Sequence, residues 1–187
     1  LALMAAVLRS EGKIAPDGKV PDEYIGQAIK SITMHEIGHT LGLRHNFKAS
    51  TMLSLDDCNN PEITRQKGMS ASVMDYLPAN IAPQGKKQGD YFTTTIGPYD
   101  YWAIEYAYKP IRGNEKEELN TIAARIAEPG LDYATDEDLW LSPDPRVNIG
   151  DLGDPLEFAK RRFDEAKRRL DDLTERTVAE GDGWQTV

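Results

Sequence analysis

Apolar residues between Pro21 and Gly42 recur every three or four positions, and this spacing predicts one amphipathic helix. Its apolar positions are Ile25, Ala28, Ile29, Ile32, Ile37 and Leu41. Asp22 suits the N-cap, and Gly42 suits the C-terminal end because glycine tolerates a positive φ there. The pattern therefore predicts a helix that begins near residue 22 and ends near residue 42.

Helical patterning recurs along the rest of the chain. It covers residues 1–10, 61–67, 99–108 and 114–127, and a long charged stretch from Asp154 to about Glu180. The apolar stripe of that last stretch is Leu156, Ala159, Phe163, Ala166, Leu170, Leu173 and Val178. Glycines and prolines predict loops at 11–20 and 129–153, and residues 92–95 are a weak strand candidate. The predicted fold class is mainly α, with little sheet.

Composition narrows the class of protein. The chain has 187 residues, of which 40% are hydrophobic, and this suits one folded domain, with or without an appendage. A net charge of −9 argues against a nucleic-acid partner, which needs basic patches. No apolar run reaches the roughly 18 residues of a membrane span. Enzymes and protein-interaction modules remain as the classes to weigh.

The single cysteine, Cys58, excludes an internal disulfide framework. It lies in the polar stretch from Asp56 to Pro61, which predicts an inert or weakly reactive thiol in a loop. Binding of this thiol to a metal, as a cysteine switch, is the alternative.

All three histidines fall within eleven residues, in the pattern H-E-x-x-H-x-x-G-x-x-H. Its members are His35, Glu36, His39, Gly42 and His45. Residues four apart share a helix face, so His35 and His39 can bind one metal ion. A turn at Gly42 can bring His45 back as the third ligand. Three protein ligands leave a position for water, as in catalytic zinc sites, with Glu36 as the candidate general base. The pattern therefore predicts a Zn²⁺ site.

A second motif, Ser72-Val73-Met74-Asp75-Tyr76, follows about 30 residues later. The chain resembles the metzincin metalloproteases in both motifs. The resemblance implies that Met74 lies beneath the histidine rings and that Tyr76 assists at the zinc or at the oxyanion. It also implies that Asp100 opens the helix that follows the methionine turn. The aromatic pattern predicts that this helix is well buried. The alternatives are an ordinary buried methionine and a tyrosine that only packs.

The chain is similar, more narrowly, to the EcxA-type zinc-binding domain family of large exported bacterial proteins. The segments 39–47, 72–76, 96–100 and 151–155 carry this similarity. It implies an exported protein with a polypeptide substrate. It also implies a metzincin-like zinc-binding region over residues 1–110 and a helical C-terminal extension over 111–187.

The region before the zinc motif is short for a metzincin. Only 34 residues precede His35, whereas a sheet of four or five strands needs roughly 60. We therefore expect the C-terminal part of an α/β zincin domain, consisting of the active-site helix and a helical subdomain. Its expected partner is the upstream sheet of its own precursor. Apolar surface on the active-site helix is expected to be exposed, and self-association is one way to cover it.

The leading hypothesis is a zinc-dependent endopeptidase in which zinc activates a water and Glu36 accepts its proton. A non-proteolytic zinc-binding or interaction module is the alternative, because the expected sheet is missing and the C-terminal helix is long and charged. A zinc-free structural domain is the third hypothesis.

Overall fold

The computed structural model describes residues 20–83 and 85–177. Tertiary contacts divide the chain into one unit, Asp22–Pro155, and a second that contains residues 1–21 and 156–187. The described residues are mainly helical and contain no strand, which confirms the mainly α prediction. The helix expected over residues 1–10 lies outside the described residues.

Helix α1, Asp22–Thr40, confirms the amphipathic helix predicted between residues 22 and 42. The buried face differs from the one that the apolar pattern suggested. The inward side chains are Tyr24, Gln27, Ala28 and His35. The predicted apolar positions other than Ala28 are between 42% and 61% exposed. Ile25, Ile29 and Ile32 thus form an outward apolar row on this helix.

The inward face of α1 is held by residues far away in sequence. The Tyr24 ring packs edge-on against Tyr91 and Phe92, with centroids 5.2 and 5.1 Å away. The Gln27 amide donates to Asp90 Oδ1 at 2.9 Å and accepts from the Tyr91 N–H at 2.6 Å. Aromatic packing and side-chain hydrogen bonds with residues 90–92 therefore hold this face of α1 inward.

The turn after α1 is a Schellman motif built on Gly42. The Leu43 N–H donates to the Gly38 carbonyl and the Gly42 N–H to the His39 carbonyl, both at 3.0 Å. Gly42 has a φ of 84°, which L-residues with a side chain adopt only at a cost. This turn sends the chain back toward α1 within three residues of His39.

Replacing Gly42 with alanine is expected to lower the free energy of unfolding by about 1–2 kcal/mol, because alanine disfavours a positive φ. Gly26, which lies inside α1, is a matched control. A Cβ at either position meets no atom within 4 Å, but only Gly42 has a positive φ. Gly26→Ala is therefore expected to raise the free energy of unfolding by about 0.5–1 kcal/mol. Urea denaturation measures both, and equal effects of the two substitutions would contradict this explanation.

Three short helical segments follow α1. They are a 3₁₀ turn at Ala49–Met52, helix α2 at Leu55–Cys58 and helix α3 at Pro61–Lys67. The predicted helix over 61–67 is confirmed, whereas α2 replaces the loop predicted around Cys58. The Cys58 thiol is buried at the end of α2, and burial raises its pKa to about 12. It is therefore an unreactive thiol.

Helix α4, Pro98–Tyr108, matches the helix predicted over 99–108. Only Tyr99 and Asp100 of α4 are buried, so the expectation of a well-buried helix is wrong. The core beneath its first turn consists of Ala49, Ala71, Tyr99 and Leu131. At its other end, the Tyr108 hydroxyl donates to the Leu41 carbonyl at 2.9 Å, which ties α4 to the end of α1.

The strand suggested at residues 92–95 is not formed. The N–H groups of Tyr91 and Phe92 donate instead to the Gln27 side chain. These two N–H groups are therefore not available for hydrogen bonds to a neighbouring strand.

The C-terminal half continues with α5 at Glu115–Ala123, a 3₁₀ turn at Ala124–Ala127, α6 at Asp138–Leu141 and α7 at Pro155–Thr177. Asn114 caps α5, and the Trp102 indole donates to the Ile122 carbonyl at 2.7 Å, which joins α4 to α5. Leu156 and Phe163, two members of the predicted stripe on α7, are exposed. No helix in the described part of the chain is both long and apolar enough to cross a membrane.

Candidate metal centre

The three histidines meet at one point of the first unit. Helix α1 supplies His35 and His39, one turn apart on the same face, and the turn at Gly42 returns His45 to them. One ring nitrogen from each residue lies within 4.8 Å of the other two. Side chains this close can bind a single ion.

Each imidazole is held by a hydrogen bond at its Nδ1 atom. His35 bonds to the Val73 carbonyl at 2.7 Å, and His39 bonds to the Leu43 carbonyl at 3.0 Å. A carbonyl oxygen only accepts, so both Nδ1 atoms carry a proton, and the neutral form of each ring has its lone pair on Nε2. His45 Nδ1 lies 2.8 Å from Asp136 Oδ1. All three rings are thereby oriented to bind a metal through Nε2.

The His45 Nε2 atom is buried and has no hydrogen-bond partner among the described residues. A buried polar atom without a partner destabilises a fold, and a metal ion would remove that cost. Burial also lowers the pKa of His35, which favours the neutral imidazole that metal binding requires. The donor set therefore fits a metal of the zinc type, which accepts three histidine nitrogens.

Met74 contacts the helix that carries two of the histidines, and Tyr76 contacts the histidine rings themselves. Met74 is completely buried, and its Sδ atom lies so close to the Gly38 backbone that a Cβ there would collide with it. Tyr76 is 47% exposed, with its ring centroid 5.2 Å from that of His35 and 4.7 Å from that of His45. The motif thus places a thioether against the ligand-bearing helix and a phenol beside the ligands.

Asp100 holds the methionine turn in place. Its carboxylate accepts from the Ser72 hydroxyl at 2.6 Å and from the N–H groups of Val73 at 3.0 Å and Gly97 at 2.8 Å. The residue lies in the first turn of α4, where the sequence placed it. Because the Val73 carbonyl accepts the hydrogen bond from His35 Nδ1, Asp100 supports the first ligand through one intervening residue.

A second buried carboxylate, Asp75, joins the methionine turn to later parts of the chain. It accepts from the Ser50 N–H at 2.8 Å, and the Ser50 hydroxyl donates to Asp151 at 3.0 Å. Burial raises the pKa of Asp75 to about 7. Ser50 therefore links the segment around residue 151 to the methionine turn.

A family model described as Met-zincin matches residues 17–187, most of the chain. The chain belongs to the Met-zincin family. This confirms the metzincin resemblance drawn from the two motifs and places the chain, at the level of the family, among zinc metalloproteases. Comparisons with curated proteins and with solved structures found no significant match.

In this Met-zincin domain the predicted general base, Glu36, is an exposed residue of α1 beside His35. Asp136 is the site residue that sequence reasoning missed. It contacts His45 from 91 positions away and stands in a stretch that is acidic throughout. The bond with His45 lowers the pKa of the Asp136 carboxyl. Neither the position of Asp136 nor its neighbours in the sequence sets it apart from other acidic residues.

Proposed function

We propose that this Met-zincin domain is a zinc-dependent endopeptidase with His35, His39 and His45 as ligands. The observation that carries the proposal is the convergence of three oriented imidazoles, one of which has a buried Nε2 atom that no described residue bonds to. The exposure of Glu36, His39 and Tyr76 supports access of a substrate to the same place. A structural zinc site would be closed by a fourth protein ligand.

Bound zinc supplies Lewis-acid chemistry, which activates water and polarises a carbonyl group. Glu36 takes one proton from the water as its oxygen attacks the carbonyl carbon of the peptide bond. The same carboxyl then gives that proton to the leaving nitrogen as the carbon–nitrogen bond breaks. The Tyr76 hydroxyl donates a hydrogen bond to the oxygen that becomes negatively charged.

The substrate class that we propose is a polypeptide in extended or unfolded form, which can reach a site with exposed residues. We also propose that the protein is exported, because the family that its sequence resembles consists of exported proteins.

Removal and restoration of metal test the proposal. Protein treated with a chelator is expected not to cleave an unfolded protein substrate, and about one equivalent of Zn²⁺ is expected to restore cleavage. Mg²⁺ serves as the control, because it prefers oxygen ligands and should restore nothing. Cleavage that is indifferent to zinc would overturn the proposal. Bound zinc without cleavage would favour the non-proteolytic zinc-binding module instead.

A further inference from the structure

The third histidine differs from the other two in what orients it. His35 and His39 bond to main-chain carbonyls of Val73 and Leu43, which belong to the two motifs. His45 bonds to a side chain, the Asp136 carboxylate, at 2.8 Å. The orientation of His45 therefore depends on the placement of a distant segment.

That segment, residues 131–141, is attached to the chain around His45 by several hydrogen bonds. The Phe47 N–H donates to the Ala134 carbonyl at 2.8 Å. The buried Asn46 side chain donates to the Asp132 carbonyl at 3.0 Å and accepts from the Ala134 N–H at 3.3 Å. These bonds hold the backbone just before Asp136 next to the residues that follow His45.

The two acidic residues next to each other in this segment have different contacts. Asp136 touches the imidazole of His45 and lies 3.6 Å from the Arg44 guanidinium. Glu137 pairs with the same guanidinium at 2.7 Å rather than with a histidine. Arg44 thus keeps both carboxylates near His45, but only Asp136 bonds to the His45 imidazole.

We infer that Asp136 is a positioning residue for the metal ligand His45, and that metal binding and attachment of residues 131–141 stabilise each other. The inference rests on the metal site of the proposed function. Asp136 holds Nδ1 of His45, which keeps Nε2 turned toward the other two histidines. A carboxylate in this place also makes the imidazole a stronger ligand.

Mutual stabilisation follows from thermodynamic linkage. If attachment of the segment raises the affinity for zinc, then zinc raises the stability of the attachment by the same factor. Through Asp136, zinc binding would thereby depend on the attachment of residues 131–141 to the chain around His45.

The test compares Asp136→Ala with Glu137→Ala. Both substitutions remove an exposed carboxylate that lies beside Arg44, and only the first removes the bond to His45. Zinc affinity is measured by competition with a chelating indicator. We expect about 10–100-fold weaker binding in Asp136→Ala and less than about a threefold change in Glu137→Ala. Asp136→Asn, which keeps an acceptor oxygen, is expected to lie between Asp136→Ala and the wild type. Equal affinities in the two alanine variants would overturn the inference.

Hydrogen exchange supplies a readout that does not depend on proteolysis. Zinc is expected to slow amide exchange in residues 131–141 of the wild-type protein and to have little effect there in Asp136→Ala. Unfolding of the zinc-free proteins by urea checks that the variant is folded. Exchange in residues 131–141 that ignores zinc in the wild type would refute the coupling. Zinc binding with intact coupling but no cleavage would refute the peptidase proposal and leave this inference standing.

Discussion

Replacement of Glu36 with glutamine is expected to reduce kcat for peptide cleavage by about 10²–10⁴-fold and to leave zinc content unchanged. Glutamine has nearly the same shape as glutamate but cannot take a proton from water. Glu36 is exposed on α1 and is not one of the clustered ligands, so neither folding nor metal binding should depend on its charge. Turnover of a quenched peptide and elemental analysis of zinc per chain measure the two quantities.

Glu62→Gln is the matched control for the loss of one carboxylate. Glu62 is an exposed residue in the first turn of α3 and is not one of the clustered ligands. Its substitution should leave both kcat and zinc content near the wild-type values. Wild-type turnover in Glu36→Gln would exclude Glu36 as the general base. Loss of zinc in that variant would instead assign Glu36 to the metal site.

The second large effect is expected from His39→Ala, which should lower zinc from about one ion per chain to none. A site with three protein ligands that loses one keeps only two, which hold zinc weakly. His39 is the suitable choice because its side chain is exposed, so its removal leaves no cavity. His35 is buried and bonded to the methionine turn, so its removal would disturb folding as well.

Elemental analysis after purification without chelator measures the zinc content of His39→Ala. Circular dichroism of the zinc-free proteins is the control, since wild type and variant should show the same helix content. A full equivalent of zinc in the variant would show that the clustered histidines are not the metal site.

Local patterns in the sequence account for what could be predicted of the fold. The apolar period predicts α1, and Gly42 marks its end. Pro61 marks the start of α3. Each of these signals lies within one or two turns of the feature that it predicts. The buried face of α1 could not be predicted in this way. The contacts of that face, from Tyr24 and Gln27, are made with residues more than 60 positions away, while the isoleucines face outward.

The same division between local and distant contacts applies to the candidate metal centre. His35, Glu36 and His39 are one helical pattern, and the positive φ of Gly42 explains the return of His45. Asp136 and the Ser50 connection between Asp75 and Asp151 come from pairings across 25 to 101 positions. Such pairings leave no periodic trace in an acidic chain, so only the structure reveals them.

The complete burial of Met74 has a consequence for oxidative damage. Peroxide converts accessible thioethers to sulfoxides, which are polar and disrupt packing. The sulfur atoms of Met74, Met69 and Cys58 are all sealed from solvent, whereas Met34 and Met52 are partly exposed. Among the described residues, oxidants therefore meet Met34 and Met52 first. The contact between the Met74 thioether and the ligand-bearing helix is chemically protected as long as the domain stays folded.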